Sequence, residues 1–143
     1  MGGSGILFIV SDNLPMNRRR FLKIILRLAG VYYIFGAVVH FFGLTLSPFY
    51  DGKMYVAYHD TAIALVAIVL SILLFTIAHN PVKNIDSLNV IIVGSLIAIL
   101  FSFWILWKVP TTELKHSQTI MEIILLTLFA GSLIWLKPKP EQL

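Results

Sequence analysis

The chain has 143 residues, of which 58% are hydrophobic and 13% charged, and its mean hydropathy is +0.88. Those values lie outside the usual range of a soluble globular domain and make lipid the expected solvent. The net charge of +4 does not point to nucleic acid, because the basic residues sit at the ends of apolar runs and not in a patch interleaved with aromatics; with no cysteine, a disulfide framework, a thiol nucleophile, a thiolate metal site and an Fe–S cluster are excluded.

Residues 1–15 read as a leader outside the fold. Met1-Gly2-Gly3-Ser4-Gly5 has the composition of a flexible linker, the apolar stretch 6–10 is too short to span anything, and Met16 is a natural start. Arg18-Arg19-Arg20-Phe21-Leu22-Lys23 is close to the twin-arginine export pattern. The apolar run behind it is long, lacks a small-x-small cleavage site and leads into further spans, so the segment reads as the cytoplasmic anchor of a retained helix.

Residues 16–143 then form a single transmembrane domain with four apolar runs, at about 24–46, 54–78, 88–107 and 117–136. Each has about 20 residues or slightly more, enough to cross a hydrocarbon core of roughly 30 Å. Turn residues separate them: Ser47-Pro48 and Asp51-Gly52, Asn80-Pro81, Pro110, and Pro138 and Pro140 in the tail. Connections this short make sequential helices antiparallel neighbours, so the expected fold is all-α, a polytopic membrane protein built as a four-helix up-down bundle. Lysine and arginine set its orientation. Arg18, Arg19, Arg20, Lys23, Arg27, Lys83, Lys137 and Lys139 fall on one side and only Lys53, Lys108 and Lys115 on the other, which predicts a cytoplasmic (inner) cell membrane protein with both termini in the cytoplasm. Aromatic residues mark the interfaces: Phe49, Tyr50, Tyr55 and Tyr58 around the first outer loop, Trp104 and Trp107 at the end of the third span, Trp135 at the end of the fourth.

Small and polar residues recur at three- and four-residue steps and predict the inward faces. They are Tyr33, Gly36, His40 and Gly43 on the first span, Asp60, Ala64, Ala67 and Ser71 on the second, and Ser95, Ala98 and Ser102, with Gly94 beside them, on the third. Most of these are packing residues. Ionisable groups inside spans are costly, so they usually face a partner or a cavity. His40 is expected about 10 Å below the outer edge, Asp60 about 9 Å and Glu122 about 7–8 Å, which places three titratable groups from three helices in one layer. His59, Thr61, Gln118 and Thr119 surround that layer, His116 lies nearer the surface, and His40 can share a proton with either carboxylate.

Two function classes follow. In the first, the protein binds a small lipophilic molecule, such as a quinone or isoprenoid, or handles protons, at an outer-leaflet cluster of His40, His59, Asp60, Glu122, Tyr33 and Gln118. In the second, the polar layer only fixes helix register in a non-enzymatic accessory subunit or homo-oligomer, with lipids as its other partners. A metal or haem site is a further alternative. His40 with His59 is the only histidine pair at matched depth, His79 lies at the opposite end, and the Glu-x-x-His pair of bundle di-iron sites is absent. No serine sits in a nucleophile-elbow pattern and no residue is marked as catalytic.

Leu26-Arg27-Leu28-Ala29-Gly30, followed by Tyr33, Gly36, His40 and Phe41, resembles the opening helix of small four-helix bacterial membrane proteins of the DoxX-like kind. The resemblance covers the first span only. It implies a tetraspan of the cytoplasmic membrane, some relatives being associated with quinol oxidation or oxidative-stress complexes, and it transfers no catalytic residue.

Overall fold

A computed structural model of the chain describes residues 16–47, 49–110 and 113–138. The leader read over residues 1–15, Pro48 and the tail residues Lys139 and Pro140 lie outside the described residues. Four α-helices follow in chain order: α1 Met16–Phe42, α2 Ala57–His79, α3 Ile85–Lys108 and α4 Glu113–Leu136, with a 3-10 turn, Gly52–Met54, between the first two. The shortest apolar stretch among them has 22 residues, about 33 Å at the α-helical rise, so each helix is long and apolar enough to cross a bilayer. The expected all-α membrane bundle is the observed architecture.

Helix ends depart from the limits of the apolar runs. The first helix is described from Met16, ahead of the apolar run, because the arginines and the lysine before residue 24 are good helix formers. It stops at Phe42, short of 46, because Gly43 adopts φ +60°. Leu44 N–H then bonds the Val39 carbonyl at 2.9 Å and Gly43 N–H the His40 carbonyl at 3.3 Å, the paired pattern of a glycine C-terminal cap. A Cβ on Gly43 would lie 2.9 Å from the Tyr55 ring, so the position excludes a side chain by space as well as by conformation.

On α2 the buried residues are Asp60, Ala64, Ala67, Ser71, Leu74, Ile77 and Ala78, a heptad spacing that keeps one face turned to a neighbouring helix along its length, and α1 answers with the buried residues Leu22, Leu26, Gly30 and Ala37. Close approach is tightest at Gly30, where Ser71 Oγ donates to the Gly30 carbonyl at 2.8 Å and a Cβ would meet the Phe75 ring at 3.0 Å. The stripe expected on α2 is the buried one. On α1 the seam runs through Gly30 and Ala37, while nothing lies within 4 Å of a Cβ at Gly36. On α3, Ser95 and Ser102 are buried, whereas Gly94 is exposed.

The four helices meet at the end carrying Arg18, Lys23, Lys83 and Lys137. Leu22, Leu26, Leu74, Ile77, Ala78, Leu88, Ile92, Leu133 and Leu136 form one core there, with every helix represented. Arg18 closes it by donating to the Trp135 carbonyl at 2.5 Å with its guanidinium 5.2 Å from the Trp135 ring centroid, tying the start of α1 to the end of α4. Asn80 and Asn84 cap the turn between α2 and α3: Asn84 Nδ2 donates to the Asn80 carbonyl at 2.9 Å and Lys83 N–H to Asn80 Oδ1 at 3.3 Å. Toward the opposite end the helices separate into pairs. The core there shrinks to Ala37, Ala64 and Ala67 with Tyr33 against them, all from α1 and α2, while Phe101, Phe103, Trp104, Trp107, Ile120 and Ile124 of α3 and α4 are exposed.

Candidate functional site

Asp60 stands in the first turn of α2, where unpaired backbone N–H groups and the helix dipole favour a negative charge. Its Oδ2 accepts from the N–H of Val56, the residue that begins the helix, at 2.6 Å. Its Oδ1 accepts from Tyr50 Oη at 2.8 Å and from His40 Nδ1 at 2.7 Å. A carboxylate at that distance requires Nδ1 to carry the hydrogen, which fixes the imidazole tautomer. The carboxylate is thus satisfied on both oxygens although the residue is only 5% exposed.

Local folding delivers each partner. The glycine cap at Gly43 ends α1 one turn past Val39, leaving His40 in the last turn, beside the start of α2. The chain then folds back on itself through paired backbone bonds between Leu46 and Tyr50, at 2.7 and 2.8 Å, so that the Tyr50 ring packs 4.4 Å from the imidazole. Asp51 caps the 3-10 turn by accepting from Lys53 N–H at 3.0 Å, and Gly52 N–H donates to Thr45 Oγ1 at 3.0 Å. Gly52 also sits against the Gly43 carbonyl, at a separation that leaves no room for a Cβ. Burial pushes the Tyr50 phenol up to about 12, reinforced by its hydrogen bond to the Asp60 carboxylate and by that negative charge.

Glu122 is placed differently. It lies nine residues past Glu113, the first described residue of α4, about 14 Å along the helix, whereas His40 and Asp60 are each within one turn of a helix end. Of the three titratable groups expected in one layer, His40 and Asp60 share a hydrogen bond, whereas the Glu122 side chain bonds to neither. Glu122 opens into a cavity of about 460 Å³ between α1 and α4, together with Tyr32, Tyr33, Leu28, Leu125 and Phe129. Among the described residues it forms no hydrogen bond and no ion pair. A second cavity, of about 390 Å³, lies between α1 and α2 and shares Tyr32 and Tyr33 with the first; Gly36, His40, Ile63 and Val66 also line it. Tyr32 and Tyr33, with ring centroids 5.8 Å apart, stand between the two cavities.

Of the residues expected in one cluster, His40 and Asp60 touch, Tyr33 lines both cavities, and Glu122 lines one of them. Gln118 is half-buried one turn before Glu122 on α4. His59 is exposed and meets the Tyr58 ring edge-on at 5.8 Å instead of joining His40. His116 is exposed as well, and no group of three or more His, Cys, Asp or Glu able to hold a metal is gathered among the described residues. Tyr50 and Tyr32 were not legible as site residues. In sequence Tyr50 is one of several interfacial aromatics, and its role depends on the 46–50 turn; Tyr32 differs from Tyr33 only by the rotation of α1.

A family scan of the chain matches no family model, and searches among curated proteins and solved structures find no match.

Proposed function

We propose that this is a multi-pass protein of the cytoplasmic membrane, with both termini on the cytoplasmic side, that binds a small lipophilic molecule in the groove between α1 and α4. The observation that carries the reading is Glu122: a carboxyl well inside a membrane span, with no hydrogen bond among the described residues, beside two tyrosines in a cavity of about 460 Å³. Intramembrane carboxyls without protein partners are rare because they are costly, and the cavity falls within the range of ligand pockets. A molecule of quinone or isoprenoid size suits such a cavity, and α1 resembles the opening helix of DoxX-like proteins. The orientation rests on the basic residues gathered at the end where all four helices converge.

The decisive experiment is native mass spectrometry of protein released gently from its own membrane, comparing wild type with Glu122→Gln. A small lipophilic molecule retained by wild type and lost from the variant is the expected result; identical, ligand-free spectra from both would refute the reading.

A second reading has its own support. The bonds among His40, Tyr50, Val56 and Asp60 leave that carboxylate fully partnered, as a packing knot requires, and the large aromatic residues exposed on α3 offer contact area to another chain. On this view the protein is an accessory subunit or a homo-oligomer, and the same spectra would show a stoichiometric complex in place of a small molecule.

A further inference from the structure

The residues lining the α1–α4 groove carry one negative group and no positive one. Glu122 is the only carboxyl among them, Tyr32, Tyr33 and Phe129 supply aromatic surface, and the remaining residues are Ala, Ile and Leu. The basic groups nearest along α1 are Arg27 and His40, and neither lines the groove; the charged ends of α3 are Asp86 and Lys108. We infer that the groove between α1 and α4 is a binding site for a small lipophilic cation, an amine or quaternary ammonium carrying apolar groups, held by Glu122 and by the rings of Tyr32 and Tyr33. This names the ligand class of the site proposed above and rests on that proposal.

Three features support a cation over a neutral ligand. An ionised carboxylate only accepts hydrogen bonds, so nothing on the protein side of the groove neutralises it, whereas a bound cation does. Aromatic faces attract cations most strongly where water is excluded, and tyrosine rings bordering a lipid-facing groove meet that condition. Leu28, Leu125 and Leu126 provide apolar walls that match the hydrocarbon part of such a molecule. Glu122 is faced from α1 by Tyr32 and Tyr33, while no ionisable group of α2 or α3 lines the groove. The cation and a proton therefore compete for one carboxylate: where the carboxyl is protonated before binding, the cation displaces that proton into the buffer, and acid displaces the ligand.

The test is equilibrium dialysis of labelled tetraphenylphosphonium against the full chain in neutral maltoside micelles, with decylubiquinone as the uncharged probe. Saturable one-site binding to wild type is expected. Affinity should fall at least tenfold in Glu122→Gln, and by up to tenfold for each pH unit below the titration of the carboxyl. It should also fall in Leu125→Trp, which keeps the carboxyl but fills the groove, so that the inference stays testable if Glu122→Gln does not fold. Cation binding within threefold of wild type in a folded Glu122→Gln protein, or independent of pH, overturns it. Binding of the quinone without the cation overturns the cation assignment and leaves the lipophilic-ligand reading standing. If neither probe binds and Glu122→Gln instead dissociates an oligomer, both readings fall and the groove belongs to a neighbouring chain.

Discussion

Asp60 shows how a costly residue is made tolerable in a membrane span. Three donors from three chain segments converge on its carboxylate, so removing it strands a backbone N–H, a phenol and an imidazole together. Asp60→Ala should cost about 2–3 kcal/mol, the penalty for leaving buried polar groups unpaired, measured as a shift in the unfolding midpoint in mixed micelles; an unchanged midpoint would remove the knot from the account. Tyr50 supplies a pH signature of the same contact. Its folded pKa of about 12 lies above the ordinary 10.0, so its contribution is fully present below pH 10 and is lost as pH rises toward 12. Alkaline titration, followed by phenolate absorbance and by melting, should show this late ionisation accompanied by loss of stability, and Tyr50→Phe should abolish the linked component. His40 and Asp60 were legible in sequence because ionisable residues inside apolar runs stand out by their cost. Tyr50 was not, because tyrosine near a membrane interface is ordinary.

At the scale of elements, the seam of α1 with α2 depends on small residues and on how α1 ends. The heptad spacing of Ala64, Ala67 and Ser71 is visible in the text of α2, and burial follows it. The corresponding face of α1 is offset from the sequence stripe, running through Gly30 and Ala37 instead of Gly36, since the rotation of a helix is settled by what it packs against. Gly43 is the most sensitive position in this region. Gly43→Ala meets both the left-handed backbone and the Tyr55 ring, so a loss of about 1–2 kcal/mol or more is expected, again read from the unfolding midpoint; a neutral substitution would show that the cap does not hold the end of α1.

Across the whole molecule, packing is uneven: one shared core at the basic end and two loosely joined helix pairs at the other. Leu74→Ala, in the shared core at 1% exposure, should therefore cost about 2–5 kcal/mol, whereas Val69→Ala on the same helix, 64% exposed, should cost little. Equal losses in a denaturant titration would contradict the asymmetry. Topology can be read directly because the chain has no cysteine of its own. An impermeant maleimide should label Ser47→Cys in intact spheroplasts and Asp86→Cys only after permeabilisation; the reverse pattern would invert the proposed orientation.

The amino-acid sequence by itself determined the number of spans, their antiparallel order and the segregation of basic residues, because these follow from run length, turn residues and the cost of charge in lipid. It also singled out Asp60, His40 and Glu122, since such groups are expensive wherever they lie in a span. Only the tertiary structure decided which of the three touch: His40 bonds Asp60, and the Glu122 side chain bonds neither. Distance along a helix is readable from residue numbers, but rotation about its axis, the residue at which it ends and the splay between helix pairs are set by contacts made far away in the chain. Those contacts join His40 to Asp60 and leave Glu122 facing a groove beside Tyr32 and Tyr33.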